Sequence, residues 1–381
     1  MYQIRDYITV DPGPETGEAF RAWQGCPTIA RTRGGRLFAG WYTGGLFEPC
    51  IENFNVLVQS DDNGETWSRP VLAVYSDRKA LHRNIDIQLW IDEKGRLWVM
   101  WTHSPYKAED GPATIRTPFD YPYHKEFTGV EVLLCKDPDA DVLKWEEPRE
   151  ICFGFLRCKP IRLPSGRYIF PAYDWVHEKN YMLRLSDDGG ENFYDVTAAR
   201  KPDNQVFDET MVFDAGSGKI GLLARTIRGY YAYAESQDDG LTWSETREFD
   251  KAPSTRMYIG RLKCGLLAYV RNCSDTERTG MKILLSDDDG ASFKWSLTLD
   301  TRENVSYPDL CEDEDGFIYI VYDRERDNRI RLDESTWHSD AAKEILLSKI
   351  KAEDIRAGRL VTAGAYTARV ISKGLVDTVD K

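Results

Sequence analysis

The chain has 381 residues, of which 41% are hydrophobic, and a formal net charge of −13. That composition allows a large buried core and excludes a disordered chain, while the acidic balance without a basic block argues against a nucleic-acid partner. Because no apolar run reaches the roughly 18–20 residues that span a bilayer, and because the N-terminus lacks a signal-peptide pattern, we expect a cytoplasmic protein without a membrane partner.

A glycine followed by an apolar strand recurs along the chain. Each such glycine is expected to end the turn of a β-hairpin, and one hairpin is expected in each repeat. The six copies therefore predict six repeats of one structural unit. Their glycines are Gly35, Gly95, Gly166, Gly218, Gly265 and Gly316.

A second repeat has the pattern S-x-D-x-G-x-[TSN]-[WF], which we call the Asp box. Copies begin at Ser60, Ser186, Ser236 and Ser286, and the last three are 50 residues apart. That spacing is typical of one four-stranded propeller blade. Asp and Gly supply a tight turn with a position of positive φ, so we interpret the boxes as structural.

Together the two repeats predict an all-β chain that forms one domain over residues 1–381, a six-bladed β-propeller. The N-terminal strand is expected to close the ring beside the last blade. Blade two carries a degenerate box within Cys135–Trp145 and a long insertion at 104–129. A short helix is expected near Lys351–Ala357, and the charged run Asp323–Asp327 is interpreted as a solvated loop.

Counting nine residues back from each hairpin glycine predicts the residues at the mouth of the central channel. Ionisable side chains of mixed sign at equivalent strand positions are unexpected in a core, since burying each one costs several kcal/mol unless it pairs or serves a ligand. We expect them to converge on a polar well opposite the Asp boxes; the alternative is a polar plug around channel waters. The positions are Cys26, Asp86, Arg157 (with Lys159 near), Glu209, Arg256 and Tyr307.

The Asp boxes and the segments Gly25–Ala30, Asp208–Thr210, Arg225–Thr226 and Val305–Asp309 resemble the sialidase (neuraminidase) superfamily over nearly the whole chain. They are most similar to a bacterial group of sialidase-like repeat proteins. The resemblance implies a sialidase-like propeller with a carbohydrate substrate. It also implies a Tyr nucleophile with a Glu beside it as base.

On this resemblance Tyr307 is the nucleophile and Glu209 its base. Arg225 matches the family's second substrate-binding arginine. Arg278 resembles the third, with Arg256 as the alternative. Such arginines grip a carboxylate through paired hydrogen bonds.

Two departures from the family pattern concern substrate binding and acid catalysis. Gly25 stands where the family has its first arginine, and Lys159 or Arg83 could replace the missing charge. In place of the family's Asp general acid, the loop Thr43–Asn53 offers two carboxyl groups, and the channel count adds a third. The three are Glu48, which could also contact substrate, Glu52 and Asp86.

These observations favour an exo-acting glycoside hydrolase that removes a terminal, preferably acidic, sugar. The alternatives are another carbohydrate enzyme on the same propeller, such as a lyase or a hydrolase with different residues, and a non-catalytic glycan-binding propeller. The five histidines show no H-x-x-x-H spacing, and the eight cysteines no C-x-x-C pair, so we expect reduced thiols, no metal and no cofactor. The sugar, the linkage, the stereochemical outcome and the oligomeric state stay open.

Overall fold

The fold was analysed in a computed structural model. It describes residues 1–45, 48, 51–105, 128–174, 179–203, 205, 208–325 and 343–374. Of the expected insertion at 104–129, residues 106–127 therefore lie outside the described residues.

The described strands form six antiparallel sheets that follow one another along the chain, and they build the predicted six-bladed propeller. The strands of blades one to three are β1 (Tyr2–Arg5), β2 (Ile8–Val10), β3 (Gln24–Arg31), β4 (Leu37–Thr43), β5 (Phe54–Ser60), β6 (Leu72–Tyr75), β7 (His82–Ile91), β8 (Leu97–Pro105), β9 (Gly129–Cys135), β10 (Arg149–Phe153), β11 (Ile161–Arg162), β12 (Tyr168–Phe170), β13 (Asn180–Ser186) and β14 (Tyr194–Arg200).

The strands of blades four to six are β15 (Thr210–Gly216), β16 (Lys219–Ala224), β17 (Tyr230–Ser236), β18 (Arg247–Lys251), β19 (Tyr258–Arg261), β20 (Leu267–Asn272), β21 (Thr279–Ser286), β22 (Trp295–Glu303), β23 (Val305–Glu312), β24 (Phe317–Arg324), β25 (Glu344–Lys351) and β26 (Tyr366–Lys373). The predicted short helix is present as α1 (Ala352–Ala357), and two 3-10 turns lie at Pro14–Thr16 and Glu18–Phe20. No helix among the described residues is long and apolar enough to cross a membrane.

The N-terminal strands do not close the ring, and that expectation was wrong. Strand β2 pairs with β6 and β1 pairs with β2, so the first sheet has six strands in the order β1-β2-β6-β5-β4-β3. Blade six instead takes all four of its strands from β23 to β26. The ring is joined by packing and by side chains: Asp309 Oδ2 of blade six accepts hydrogen bonds from Thr28 Oγ1 (2.7 Å) and the Ile29 amide (2.9 Å) of blade one.

Each Asp box forms the turn that its sequence predicts. In the first, Ser60 Oγ donates to Asp62 Oδ1 (2.8 Å) and accepts from the Gly64 amide (2.9 Å), while Asp62 Oδ1 accepts from the Thr66 amide (2.9 Å). The same bonds recur around Asp188, where the Gly190 amide donates to Ser186 Oγ. These turns satisfy backbone donors that a tight loop would otherwise leave unpaired.

The boxes and the hairpin glycines lie at the same end of the propeller. Within a blade the first strand runs from the well end to the hairpin glycine, the second returns, and the third ends in the box. The starts of first strands and the ends of second strands therefore meet at the opposite end. That end carries the residues predicted to line the well.

Bulges in three inner strands redirect side chains at the well end. The pairing register skips between Gly25 and Thr28 in β3, and equivalent skips occur at Asp86 in β7 and Tyr307 in β23. Cys26, Asp86 and Tyr307 have φ values of 55°, 63° and 56°, in the left-handed region that side chains rarely adopt. A bulge adds one residue to a strand and turns its side chain out of the normal alternation. Three of the six positions found by the nine-residue count thus lie in bulges with the same left-handed backbone conformation.

Candidate active site

Three side chains from blades four and six form the centre of the well. Glu209 directly precedes β15 and Arg225 directly follows β16, so the open end of this hairpin holds them side by side, with the Arg225 amide donating to the Glu209 carbonyl (2.9 Å). The Tyr307 hydroxyl donates to Glu209 Oε1 at 2.5 Å. One Arg225 nitrogen, Nη1, donates both to Glu209 Oε2 (3.0 Å) and to Tyr307 Oη (3.0 Å). All three residues are buried.

The charges around this group fix where its protons lie. Burial opposes the charge on Glu209, but Arg225 and Arg157 outweigh burial and lower the pKa of Glu209 below its ordinary value. Burial, together with the Glu209 charge, raises the pKa of Tyr307 well above 10. In the resting site the phenol therefore carries the proton and the carboxylate is ionised.

Two further arginines lie close to the Tyr307 ring. The guanidinium carbon of Arg256 is 5.2 Å from the ring centroid and that of Arg278 is 5.8 Å away. Arg278 is half-buried and donates to the Ser254 carbonyl (3.1 Å), while Arg225 Nε donates to Ser254 Oγ (3.0 Å). Arg225 and Arg278 therefore converge on one side of Tyr307. Arg256, by contrast, is bound to backbone carbonyls.

An ion pair between blades two and three also lies near Tyr307. Arg157 Nε lies 2.6 Å from Asp86 Oδ2, and its Nη1 is 3.0 Å from Cys26 Sγ. The Arg157 guanidinium carbon is 5.7 Å from the Tyr307 ring centroid. The nine-residue count includes Arg157 among the channel positions but predicts no contact for it. Residue spacing does not show that its side chain points toward Asp86 and Cys26. Burial raises the pKa of Asp86 to about 6.

Two more carboxyl groups belong to this cluster. Burial raises the pKa of the Glu48 side chain to about 8, and Arg157, Asp86 and Asp323 are the charges that act on it most strongly. Asp323 is fully buried, accepts from the Cys26 amide (2.8 Å) and from Ser306 Oγ (2.7 Å), and has its pKa raised by burial to about 6. The interpretation of Asp323 as part of a solvated loop was therefore wrong: it lies within strand β24, opposite Ser306.

The remaining predicted residues lie away from Tyr307 or contact other groups. Lys159 Nζ donates to the Leu310 carbonyl (2.9 Å), pairs with Asp309 (2.9 Å), and lines a cavity of about 950 Å³ at the Asp-box end of the channel. It links blades across the channel and does not replace the missing charge in the well. Arg83 is buried and donates to groups at the end of β8, namely Ser104 Oγ and the Pro105 carbonyl (3.4 Å each).

Glu52 is half-buried, and within the described part of the chain it forms no side-chain hydrogen bond or ion pair. The described residues also contain no group of three or more His, Cys, Asp and Glu that could hold a metal ion. No disulfide joins two of the seven described cysteines.

Comparison with known proteins gives the same fold. Residues 137–320 match the model of a BNR repeat-like domain. Among solved structures, a Hadza microbial sialidase is 20% identical, with a TM-score of 0.64 over 84% of this chain and 65% of that one. The chain thus contains BNR-like repeats over residues 137–320 and has the propeller fold of this sialidase structure. An intramolecular trans-sialidase from Ruminococcus gnavus is 16% identical (TM-score 0.68, 91% of this chain and 97% of that one). A leech intramolecular trans-sialidase is 15% identical (TM-score 0.67, 94% and 71%). No curated protein sequence matches the chain.

Within this propeller, the well combines a hydrogen-bonded Tyr–Glu pair, several arginines and carboxyl groups with raised pKa values. A phenol next to an ionised carboxylate can become a nucleophile if the carboxylate takes its proton as the new bond forms. A carboxyl group with a pKa near 8 keeps its proton at neutral pH and can donate it. The arrangement can thus supply a nucleophile, a base and a proton donor.

Proposed function

We propose that this protein is an exo-acting glycoside hydrolase that removes a terminal acidic sugar, with Tyr307 as nucleophile and Glu209 as its base. The observation that carries the proposal is the three-way contact at the centre of the well. Tyr307 Oη is 2.5 Å from Glu209 Oε1, and Arg225 Nη1 is 3.0 Å from both partners. A structural tyrosine would not need a buried ion pair held around its hydroxyl.

In the first step the Tyr307 oxygen bonds to the anomeric carbon while its proton passes to Glu209. The bond to the leaving oxygen breaks, and that oxygen takes a proton from Glu48, which is neutral at pH 7 because burial raises its pKa to about 8. In the second step a water displaces Tyr307, with Glu48 accepting the water proton and Glu209 returning its proton to the phenol. Arg225 stabilises the negative charge that builds on the Tyr307 oxygen.

The preference for an acidic sugar rests on Arg225 and Arg278. Both guanidinium groups contact Ser254, and within the described residues Arg278 has no carboxylate partner at ion-pair distance. A neutral tyrosine also suits an anionic substrate better than a carboxylate nucleophile does, since it does not repel the substrate's charge. Relatives of the same fold are sialidases and trans-sialidases, which agrees with a sugar acid as substrate.

The experiment compares wild-type protein with Tyr307→Phe on a panel of 4-methylumbelliferyl glycosides of acidic and neutral sugars. We expect one acidic member to be hydrolysed, and kcat/KM to fall at least ~10³-fold in the variant. Tyr322→Phe is the matched control, since Tyr322 is buried on the same blade and donates to Asp300 Oδ2 (3.2 Å). Near-normal turnover by Y307F would contradict the proposal.

A second candidate function uses the same well without the tyrosine. Burial raises the pKa values of Glu48 and Asp86 to about 8 and 6, and the Asp86 charge raises that of Glu48 further, as expected of an acid–base pair. A hydrolase or lyase centred on them would lose activity in Asp86→Asn and keep it in Y307F. If no glycoside is turned over but a sugar acid binds by calorimetry, the protein is a glycan-binding propeller.

A further inference from the structure

The bulge of β23, which contains Tyr307, and the bulge of β3 next to it have backbone carbonyls that do not pair with the neighbouring strand. In β3 the register passes from Gly25 to Thr28, and in β23 it passes from Ser306 to Asp309. The skipped residues are Cys26-Pro27 and Tyr307-Pro308, two dipeptides in which a left-handed residue precedes a proline. Buried carbonyl groups need donors, and an unsatisfied one costs about 1–3 kcal/mol.

One side chain from blade five supplies these donors. Arg256 Nη2 donates to the carbonyls of Pro27 (3.0 Å), Tyr307 (3.1 Å) and Pro308 (3.1 Å). Its Nη1 donates to the Arg157 carbonyl of blade three. Arg256 is only 2% exposed, and it thereby ties together the backbones of blades one, three and six.

Only a guanidinium group has the shape for this set of contacts. It is planar, presents five donors in a fixed fork and is more weakly hydrated than an ammonium group, so one buried side chain can satisfy carbonyls that lie in several directions. The left-handed conformation of a non-glycine residue costs about 1–2 kcal/mol and persists only where its surroundings hold it. The Tyr307 carbonyl, which this conformation turns inward, is one of the groups that Arg256 binds.

We propose that Arg256 is a positioning residue for Tyr307: it holds the left-handed backbone of the bulge and so directs the phenol oxygen to Glu209 and Arg225. The direction of the side chain depends on that backbone, because a change of φ from 56° to a negative value swings Cβ away from the well. Arg256 does not grip the substrate, since both of its terminal nitrogens donate to backbone carbonyls.

The structural test is the crystal structures of Arg256→Met and Arg256→Lys. We expect Tyr307 to leave the left-handed region in the Met variant, with its hydroxyl more than ~3.5 Å from Glu209, which is no longer a hydrogen bond. The Lys variant keeps the charge but lacks the forked guanidinium donors, and we expect the same change in it. It serves as the test if the Met variant does not fold. A left-handed Tyr307 still bonded to Glu209 in either variant would overturn the proposal.

Arg184→Lys is the matched control. Arg184 is also 2% exposed and pairs with Asp195 (3.0 Å) on blade three, away from the bulges. It should lower thermal stability while leaving the Tyr307–Glu209 bond intact. A disrupted bond in R184K would mean that any buried arginine supports the site and would also overturn a specific role for Arg256.

The kinetic test rests on the proposed hydrolase function. In R256K we expect kcat to fall ~10²-fold with KM within about threefold, because misplacing a nucleophile by about 1 Å costs that much without weakening substrate binding. R184K should keep kcat within about twofold. A rise in KM with kcat unchanged would make Arg256 a substrate-binding residue instead. If the wild-type protein turns over no glycoside, the hydrolase proposal fails, and the crystal structures alone decide the role of Arg256.

Discussion

Replacing Glu48 by Gln should make the protein more stable and less active at neutral pH. Burial raises the pKa of Glu48 from 4.5 to about 8, so between these values the folded protein holds a proton that the unfolded chain has lost. Stability rises with pH only where the unfolded state binds more protons, and here the folded state binds more. The free energy of unfolding therefore falls as pH rises from 4.5 to 8.

The size of this effect follows from the two pKa values. pH 7 lies 2.5 units above the unfolded-state pKa of 4.5, so at ~1.4 kcal/mol per unit the cost of keeping Glu48 neutral in the folded protein is about 3.5 kcal/mol. Gln has the shape of the neutral acid and carries no such cost. With an unfolding entropy of ~2.1 cal/mol/K per residue, E48Q should melt about 4 °C higher at pH 7.

Thermal melts at pH 4 and pH 7 measure the prediction, with Glu52→Gln from the same loop as the control. The stability difference between E48Q and wild type should nearly vanish at pH 4, where both states of the wild type are protonated. The amide cannot donate a proton, so kcat should fall ~10²–10⁴-fold. If E48Q is no more stable at pH 7, or if its advantage persists unchanged at pH 4, the neutral acid inferred for Glu48 does not exist.

Two further predictions concern the ion pair and the blade turns. In Arg225→Met, Glu209 loses the partner that most lowers its pKa, so the acid limb of the pH–rate profile should move to higher pH. The free energy of unfolding should fall by roughly 3–5 kcal/mol, because the Glu209 charge stays buried without its partner. An acid limb that does not move would show that Arg225 does not control the pKa of the catalytic base. Gly190 and Gly218 both have positive φ, 88° and 77°. In Gly190→Ala the new Cβ would lie 2.3 Å from the Trp98 ring, whereas in Gly218→Ala the new Cβ would have no atom within 4 Å. Urea denaturation should therefore show a loss of roughly 1–2 kcal/mol for G218A and clearly more for G190A; equal losses would mean that the box turn does not pack on the neighbouring blade.

The blade count was predictable because the signals for it are local. Asp62 satisfies the donors of its own turn, and glycines such as Gly35 sit at φ values near 100° that other residues avoid. Both features can be read within eight residues of sequence. The position of β1 and β2 was not predictable, since alternating apolar residues do not reveal which sheet edge a terminal strand joins.

The candidate site was predictable only in part. A count of nine residues finds Asp86, Glu209 and Tyr307 because every blade repeats the same geometry, and the structure brings all three to the same well. The count predicts how far along the channel each residue lies but not where its side chain points. The left-handed bulges change the direction of the side chains. Asp323 could have been noticed, because it continues the apolar run Phe317–Tyr322 of β24 without an intervening turn residue.

Trapping the bond between enzyme and sugar would identify the nucleophile. The protein would be incubated with a fluorinated glycosyl fluoride of the sugar that the panel identifies, digested and analysed by mass spectrometry. The fluoride leaves readily, while the ring fluorine slows hydrolysis of the bond to the enzyme. We expect one added sugar on the peptide that contains Tyr307, and none in Y307F. A label on the peptide of Glu48 or Asp86, or full inactivation without any label on Tyr307, would contradict it.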